Sequence, residues 1–142
     1  MSSKQNIKLI IESKFEQVEM IGNCVNKLCS VLNYNETTCY DIELCCVEAV
    51  NNCIKHAYNN SDKKKIELVF SVFDKFIEIK IIDTGIKASF LELKKDQLDF
   101  SDINDAPENG MGLIIINQVM DKVSYERIGN KNILCLIKHL NS

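Results

Sequence analysis

Tryptophan is absent from this sequence, proline and arginine occur once each, and no apolar run approaches the roughly 18 residues of a membrane span. A single guanidinium argues against nucleic-acid binding, because duplex-binding surfaces present several Lys and Arg side chains to phosphates. The seven cysteines are odd in number and no pair has C-x-x-C spacing, so a secreted disulfide scaffold is not expected. The polar start, residues 1–6, is not that of a signal peptide. These absences predict a cytoplasmic protein with reduced core thiols and without membrane or direct nucleic-acid contact.

What is present is the composition of an ordinary folded domain. The chain has 142 residues, of which 46% are hydrophobic and 26% charged, and its formal net charge is −3. A chain of this length buries about 70% of the surface that its unfolded form exposes. One domain spanning residues 1–142 is therefore expected to fold without disulfides or a structural metal.

Hydrophobic periodicity predicts both helices and strands. Apolar and polar residues alternate in the predicted strands, which cover 7–12, 66–72, 77–81, 123–127 and 132–138. The second and third strands are expected to form an antiparallel hairpin across residues 74–75, and a turn at residues 128–131 is expected to join the last two. Apolar residues recur at helical spacing in the predicted helices, which cover 17–32, 38–57 and 113–120. Thr38 is the expected N-cap of the second helix, and residues 83–112 are expected to be irregular, with a short helix near 90–95. Because helices cluster early and strands pair late, we expect an α+β two-layer sandwich.

The predicted second helix carries the first group of chemistry-bearing residues. Glu48, Asn52 and His56 are spaced at i, i+4 and i+8, so their side chains lie along one side of the helix. They border its apolar stripe, at the edge of the core or in a cleft above it. Such a polar stripe is either a satisfied hydrogen-bond network or a site, with the carboxylate as general base and the amide as an oxygen ligand for Mg²⁺.

A second candidate is Asp83-Thr84-Gly85, which directly follows an apolar strand. Asp-x-Gly in this position commonly forms a simple turn. The functional interpretation is a buried carboxylate that accepts a hydrogen bond from a ligand, with the glycine allowing close approach to the backbone. The residues alone leave both interpretations open.

The third candidate is the Gly-x-Gly of residues 110–112, which opens into the last predicted helix. Free backbone N–H groups at a helix N-terminus form an anion site that suits phosphates, and glycine permits close approach. The motif is shorter than the dinucleotide fingerprint G-x-G-x-x-G. It therefore indicates phosphate binding without identifying a nucleotide.

In this order and spacing, the three motifs resemble those of the GHKL ATPases, the class of gyrase, heat-shock chaperones, histidine kinases and MutL. Residues 48–58 are similar to the N-box, residues 83–85 to the first glycine box and residues 110–113 to the second. Residues 120–138 resemble the end of the RsbW-like anti-sigma factor serine/threonine-protein kinases, which are stand-alone histidine kinase-like ATPase domains. The resemblance extends over residues 7–140. It implies a Bergerat-type ATP-binding fold, in which helices cover one face of a mixed, mostly antiparallel sheet.

The resemblance implies roles for the N-box residues, with ATP and Mg²⁺ as cofactors. Glu48 would be the general base that accepts a proton from an attacking serine hydroxyl, and Asn52 would hold Mg²⁺. Lys55 or His56 would touch phosphate or orient Asn52, and the structural role is favoured for His56.

The two glycine boxes would bind the nucleotide. Asp83 would accept a hydrogen bond from the adenine amino group, and Gly85 would make room for the ring. Backbone amides around Gly110 and Gly112 would meet the phosphates, and the matched segment also includes Met111 and Leu113. Asn132 matches the end of the family pattern without an assigned role.

Three features depart from the pattern or lie outside it. Lys87 occupies the second glycine position of the first box, and Phe90 matches an aromatic that many stand-alone members have instead. The lid segment 96–108 carries five acids and no base, which we interpret as a solvated loop, with docking to a basic partner surface as the alternative. Arg127 is distant in sequence from the three motifs, so we do not expect it to act as an arginine finger in cis.

The resemblance implies an ATP-dependent protein serine kinase that binds a sigma factor or another regulator and phosphorylates a serine of an anti-anti-sigma (STAS) partner. A homodimer is also implied. The alternative is a nucleotide-dependent regulatory binding module without phosphotransfer. A detached histidine-kinase domain is disfavoured because no phosphoacceptor hairpin precedes the N-box, and gyrase-type or MutL-type hydrolysis because no transducer domain follows. The acid at Glu48 favours the kinase, since binding alone would tolerate its loss.

Overall fold

The computed structural model describes residues 4–87 and 110–140. In chain order the elements are β1 (Gln5–Glu12), α1 (Phe15–Val31), α2 (Glu36–Asn52), a π-helical turn (Cys53–Ala57), β2 (Lys65–Val72), β3 (Phe76–Asp83), α3 (Gly110–Val119), β4 (Lys122–Ile128) and β5 (Lys131–His139). The helix predicted near residues 90–95, Phe90 and the acidic segment 96–108 lie outside the described residues.

The five strands form one sheet in the order β1-β2-β3-β5-β4. All four described pairings are antiparallel, where a partly mixed sheet was expected. The reason is that β5 lies between β3 and β4, so the two strands connected through α3 are not neighbours. The α+β class and the hairpin of β2 and β3 are confirmed.

The core lies between this sheet and the helices. Alternate strand residues face the helices and are at most 1% exposed at Ile66, Leu68, Phe70, Ile77, Ile79, Ile81 and Leu136. From the helix side, Ile21, Val25 and Ile42 are equally buried. Burial of each such side chain stabilises the fold by about 1.5–3 kcal/mol. The apolar residues that alternate along the strands therefore hold the sheet and the helices together.

Helix boundaries differ from the prediction in three places. The N-cap of α2 is Asn35, whose side chain accepts a hydrogen bond from the Thr38 N–H at 2.8 Å, so Thr38 itself is not the cap. The α-helix ends at Asn52 and continues as a π turn, in which the Tyr58 N–H donates to the Cys53 carbonyl five residues earlier. Helix α3 begins at Gly110, three residues before the predicted start, because packing outweighs the low helix propensity of glycine. No helix in the described part of the chain is long and apolar enough to cross a membrane.

All seven cysteines are free thiols. Five are buried, as the prediction of core thiols requires, whereas Cys24 is exposed and Cys135 is half-buried. Burial raises the pKa of Cys29 and Cys45 to about 12 and that of Cys135 to about 11. The buried thiols are therefore protonated and unreactive at neutral pH, since the thiolate is the nucleophile.

We predict that one thiol per chain reacts rapidly with a maleimide at pH 7.5 and that Cys24→Ser removes this reaction. Intact-mass spectrometry of the native protein should show a single fast adduct, and all seven thiols should react in denaturant. Cys24→Ser should leave the unfolding midpoint unchanged because the side chain is exposed. Three or more fast adducts on the native protein would contradict the burial of the other thiols.

Candidate functional site

Glu48 and Asn52 lie one turn apart on α2 and face the first turn of α3. A methyl group built on Gly112 would lie 3.0 Å from Glu48 Oε2, 3.3 Å from Glu48 Cβ and 3.6 Å from Asn52 Nδ2. Glu48 is half-buried and Asn52 is 7% exposed. The structure therefore brings together the carboxylate, the amide and the second glycine motif, which the sequence separates by about 60 residues.

The N-terminus of α3 provides donors at this position. The first N–H groups of a helix have no partner within the helix and carry its partial positive charge, which favours a neighbouring carboxylate or phosphate. The backbones of Gly110, Met111 and Gly112 belong to this first turn. Leu113 is 2% exposed, so its side chain fills the core and only its backbone is available to a ligand.

The amide of Asn52 has unused hydrogen-bonding capacity. Its Nδ2 is buried and has no hydrogen-bond partner among the described residues. A buried amide left unpaired costs about 1–3 kcal/mol, which is typical of a group that a ligand completes. The amide carries one donor end and one acceptor end, and rotation exchanges their positions.

This donor set fits Mg²⁺ bound together with a polyphosphate. Within residues 4–87 and 110–140, no group of three or more His, Cys, Asp and Glu could hold a metal by itself. Mg²⁺ commonly takes one or two protein oxygens and completes its octahedron with substrate phosphates and water. The carboxylate of Glu48 and the amide oxygen of Asn52 are of the kind that this arrangement requires.

Asp83 forms a second cluster at the end of β3. It is 6% exposed, and its Oδ1 accepts hydrogen bonds from the Gly85 N–H at 2.8 Å and from Asn132 Nδ2 at 2.7 Å. Its Oδ2 accepts from the Cys53 thiol at 3.2 Å. Burial and the nearby Asp83 raise the pKa of Cys53, so this thiol keeps the proton that it donates. Asp83 thus closes a turn, and its carboxylate is buried, whereas its hydrogen bond to a ligand stays a prediction.

Gly85 allows close packing between the helix layer and the end of the sheet. A Cβ at this residue would overlap the carbonyl oxygen of Ala57 and lie 2.7 Å from the Ala57 Cβ. The Ile86 N–H donates to the same carbonyl at 2.9 Å. The role that the resemblance implied for Gly85, making room for an adenine ring, stays a prediction.

Tyr58 holds the same turn from the other side. Its hydroxyl accepts a hydrogen bond from the Thr84 N–H at 2.8 Å and donates to the Lys65 carbonyl at 2.6 Å. The hydroxyl therefore both donates and accepts a hydrogen bond, and it joins the end of the π turn to β2 and to the residue after Asp83. Sequence reasoning did not assign this tyrosine.

Asn132 and Arg127 are two further candidates, to which the sequence analysis assigned no role at the site. Asn132 is 2% exposed and lies opposite Asp83 in the β3–β5 register and opposite Arg127 in the β4–β5 register. Arg127 Nη1 donates to Asn132 Oδ1 at 2.7 Å and to the Gly85 carbonyl at 3.0 Å. Arg127, although distant from the motifs along the chain, therefore lies beside the first glycine motif in the fold. The turn predicted at residues 128–131 was the available signal, because it pairs Arg127 with Asn132.

Lys55 and His56 lie on the π turn beyond Asn52. Lys55 is exposed and His56 is half-buried. Their assignment to phosphate binding or to orienting Asn52 stays a prediction. Lys87, which replaces the second glycine of the first box, is exposed.

Sequence comparisons place these motifs within known proteins. The family described as "Histidine kinase-like ATPase domain" matches residues 11–138. A relative from Bacillus thuringiensis (strain Al Hakam), named serine-protein kinase RsbW, is 30% identical over 122 residues, covering 84% of this chain and 76% of the relative. A relative of the same name from Bacillus mycoides (strain KBAB4) is 30% identical over 127 residues, covering 87% and 78%.

Structural comparison supports the same fold. The crystal structure of RsbU and RsbW domains from Mycobacterium tuberculosis superposes with a TM-score of 0.68 and 12% identity, covering 96% of this chain and 32% of that chain. The SiaB–SiaC complex from Pseudomonas aeruginosa superposes with a TM-score of 0.67 and 12% identity, covering 94% and 88%. At this identity, the likeness concerns the fold alone.

We predict different stability effects for alanine at Gly85 and Gly112. Gly85→Ala forces a methyl group against backbone atoms, so the free energy of unfolding should fall by about 1–3 kcal/mol. Gly112→Ala meets the end of the flexible Glu48 side chain and gains about 0.5–1 kcal/mol of helix propensity, so its stability should stay within about 1 kcal/mol of the wild type.

Urea unfolding followed by circular dichroism measures both effects. Gly129→Asn is a suitable control, because this exposed turn residue has a φ of 60° and nothing within 4 Å, and asparagine tolerates that conformation. Equal destabilisation by the two alanine variants would contradict the different packing of the two glycines.

Proposed function

Because the chain belongs to the histidine kinase-like ATPase domain family and to its RsbW-type serine-protein kinases, we propose that it transfers phosphate from ATP to a serine of a regulatory protein partner. Family membership makes the chain a serine-protein kinase with an ATP-binding domain. The roles of individual residues, the metal and the partners belong to the proposal. The observation that carries it is the contact of Glu48 and Asn52 with the N-terminal turn of α3 at Gly112.

Glu48 is proposed as the general base. Bound MgATP would supply the phosphoryl group, and its metal would neutralise part of the charge on the phosphates. The amides of the first turn of α3 would hold the phosphates, and the amide oxygen of Asn52 would hold the metal. The carboxylate of Glu48, held beside that turn, accepts the proton of the attacking serine hydroxyl. A positioned base of this kind contributes about 10²–10⁴-fold to the rate.

Asp83 is proposed to recognise the nucleobase. Its three hydrogen-bond partners are all donors, so the carboxylate is an acceptor here. A ligand that meets it must therefore offer a donor, as the amino group of adenine does. Because Asp83 and Glu48 lie on different elements, the base and the phosphates are held by separate parts of the fold.

The partners are proposed from the family resemblance. We propose that the chain binds a sigma factor or another regulator, phosphorylates an anti-anti-sigma (STAS) protein and acts as a homodimer. The RsbW relatives and the fold shared with SiaB of the SiaB–SiaC complex support a protein partner. A cytoplasmic location is proposed because all seven cysteines are free thiols, which a reducing compartment maintains.

We predict that Glu48→Gln lowers phosphotransfer by about 10²–10⁴-fold while the Kd for MgATP changes less than about threefold. The amide has the size of the carboxylate but cannot take the proton. Labelled-ATP transfer to candidate STAS proteins and calorimetry measure the two quantities. Glu67→Gln is the matched control, because this half-buried glutamate lies on β2 facing away from the helices.

Two outcomes would contradict the base assignment in different ways. Transfer by Glu48→Gln at the wild-type rate would remove Glu48 from the role of base. MgATP binding by the wild type without transfer to any candidate would favour the alternative function, a nucleotide-dependent binding module.

We further predict that Asp83→Asn weakens ATP binding by about 10–100-fold, because a charge-assisted hydrogen bond to the base is lost. Calorimetry on the folded variant measures the Kd. A Kd equal to that of the wild type would show that Asp83 does not contact the nucleotide.

A further inference from the structure

The side chain of Asn132 is held at both ends. Its Oδ1 accepts from the Tyr125 hydroxyl at 2.9 Å and from Arg127 Nη1 at 2.7 Å. Its Nδ2 donates to Asp83 Oδ1 at 2.7 Å and to the carbonyls of Gly85 and Ile86, both at 3.1 Å. At 2% exposure, the amide has no water-facing alternative to these bonds.

These partners determine which way the amide points. A rotated amide would place its oxygen against the Asp83 carboxylate and two carbonyls, and its nitrogen against the Arg127 guanidinium. The contacts with Asp83, the two carbonyls and Arg127 would then join two acceptors or two donors, and only the Tyr125 hydroxyl, which can accept as well as donate, could adapt. Arg127, which has no acceptor and stays charged, opposes this rotation on the oxygen side of the amide, and Asp83 opposes it on the nitrogen side.

The same hydrogen bonds occupy most of the acceptor positions of the Asp83 carboxylate. A carboxylate has about four lone-pair positions. Gly85 and Asn132 use both positions on Oδ1, and the Cys53 thiol uses one on Oδ2. Counting only residues 4–87 and 110–140, one acceptor position therefore remains, on Oδ2.

We propose that Asn132, oriented by Arg127 and Tyr125, is the positioning residue that leaves Asp83 with a single free acceptor and thereby sets the preference for a nucleobase amino group over a carbonyl oxygen. The inference rests on the proposed function, since it concerns how the same nucleotide site is tuned. A site built to bond a donor rejects the analogue that lacks it far more strongly than an apolar pocket rejects a change in size.

The experiment compares the Kd values of ATP and ITP, which differ by an amino group and an oxygen at position 6 of the base. The wild type should prefer ATP by about 10²-fold or more. Arg127→Ala should reduce this ratio by about 3–10-fold, and Arg127→Lys should restore much of it by keeping a donor for Asn132. Arg127 is exposed, so both variants should fold.

Asn132→Asp is the stronger variant. It preserves size but removes the donor, and it places a second carboxylate against Asp83, so the pair retains a shared proton. A protonated carboxyl can donate to the oxygen of ITP, and the ATP:ITP ratio should therefore fall by about tenfold or more. Asn130→Asp, in the exposed turn, introduces the same charge without touching Asp83 and should leave the ratio unchanged.

The ATP:ITP ratio distinguishes a loss of positioning from a loss of folding stability, because a loss of stability lowers the affinities for ATP and ITP together. If Arg127→Ala and Asn132→Asp keep the wild-type ratio, the inference is overturned while the ATP site stands. If the wild type does not separate ATP from ITP, the recognition proposed for Asp83 fails, and the inference fails with it. Should Asn132→Asp not fold, the comparison of Arg127→Ala with Arg127→Lys decides.

Discussion

The burial of the Asp83 carboxylate is the constraint on which this site depends. A carboxylate taken out of water costs several kcal/mol unless hydrogen bonds replace its hydration. The replacement donors come from three parts of the chain: Gly85 in the following turn, Asn132 on β5 and Cys53 on the π turn. Satisfying one charge thus fixes the end of α2, the end of β3 and the start of β5 relative to one another.

The two halves of the site differ in how completely their polar groups are paired. Around Asp83 nearly every hydrogen-bonding position is used within the protein. This gives a rigid surface, which suits the nucleobase recognition that we propose for it. Around Glu48 and Asn52, a buried amide nitrogen has no hydrogen-bond partner among the described residues, and the first turn of α3 lies beside it. That half leaves polar groups for the polyphosphate and metal that we propose as its ligands. The π turn connects the halves directly, because it begins at the residue after Asn52 and ends against Gly85.

The motifs that the sequence reveals are those whose residues lie close together along the chain. Glu48 and Asn52 share a helix face, and Asp83 follows its strand, so spacing along the chain is enough to mark them. The sequence did not predict the contacts of Asn132 and Arg127 with the site, because those contacts depend on the order of the strands in the sheet. The predicted turn pairs Arg127 with Asn132, but only the insertion of β5 beside β3 brings that pair to Asp83. The same holds for Gly85, whose requirement comes from Ala57 in another layer.

Sequence alone determined the α+β class, the buried faces of β2 and β3 and the identity of the three motifs, because periodicity and short-range spacing are properties of neighbouring residues. Tertiary structure decided why residue 85 must be glycine and which distant groups, Asn132 and Cys53, hold Asp83. Each of these depends on atoms that approach from 25 or more residues away along the chain, where close packing and the pairing of buried polar groups outweigh local propensity. Arg127, the single arginine, is a neighbour of the site because strand order places it beside Asn132 and the Gly85 carbonyl.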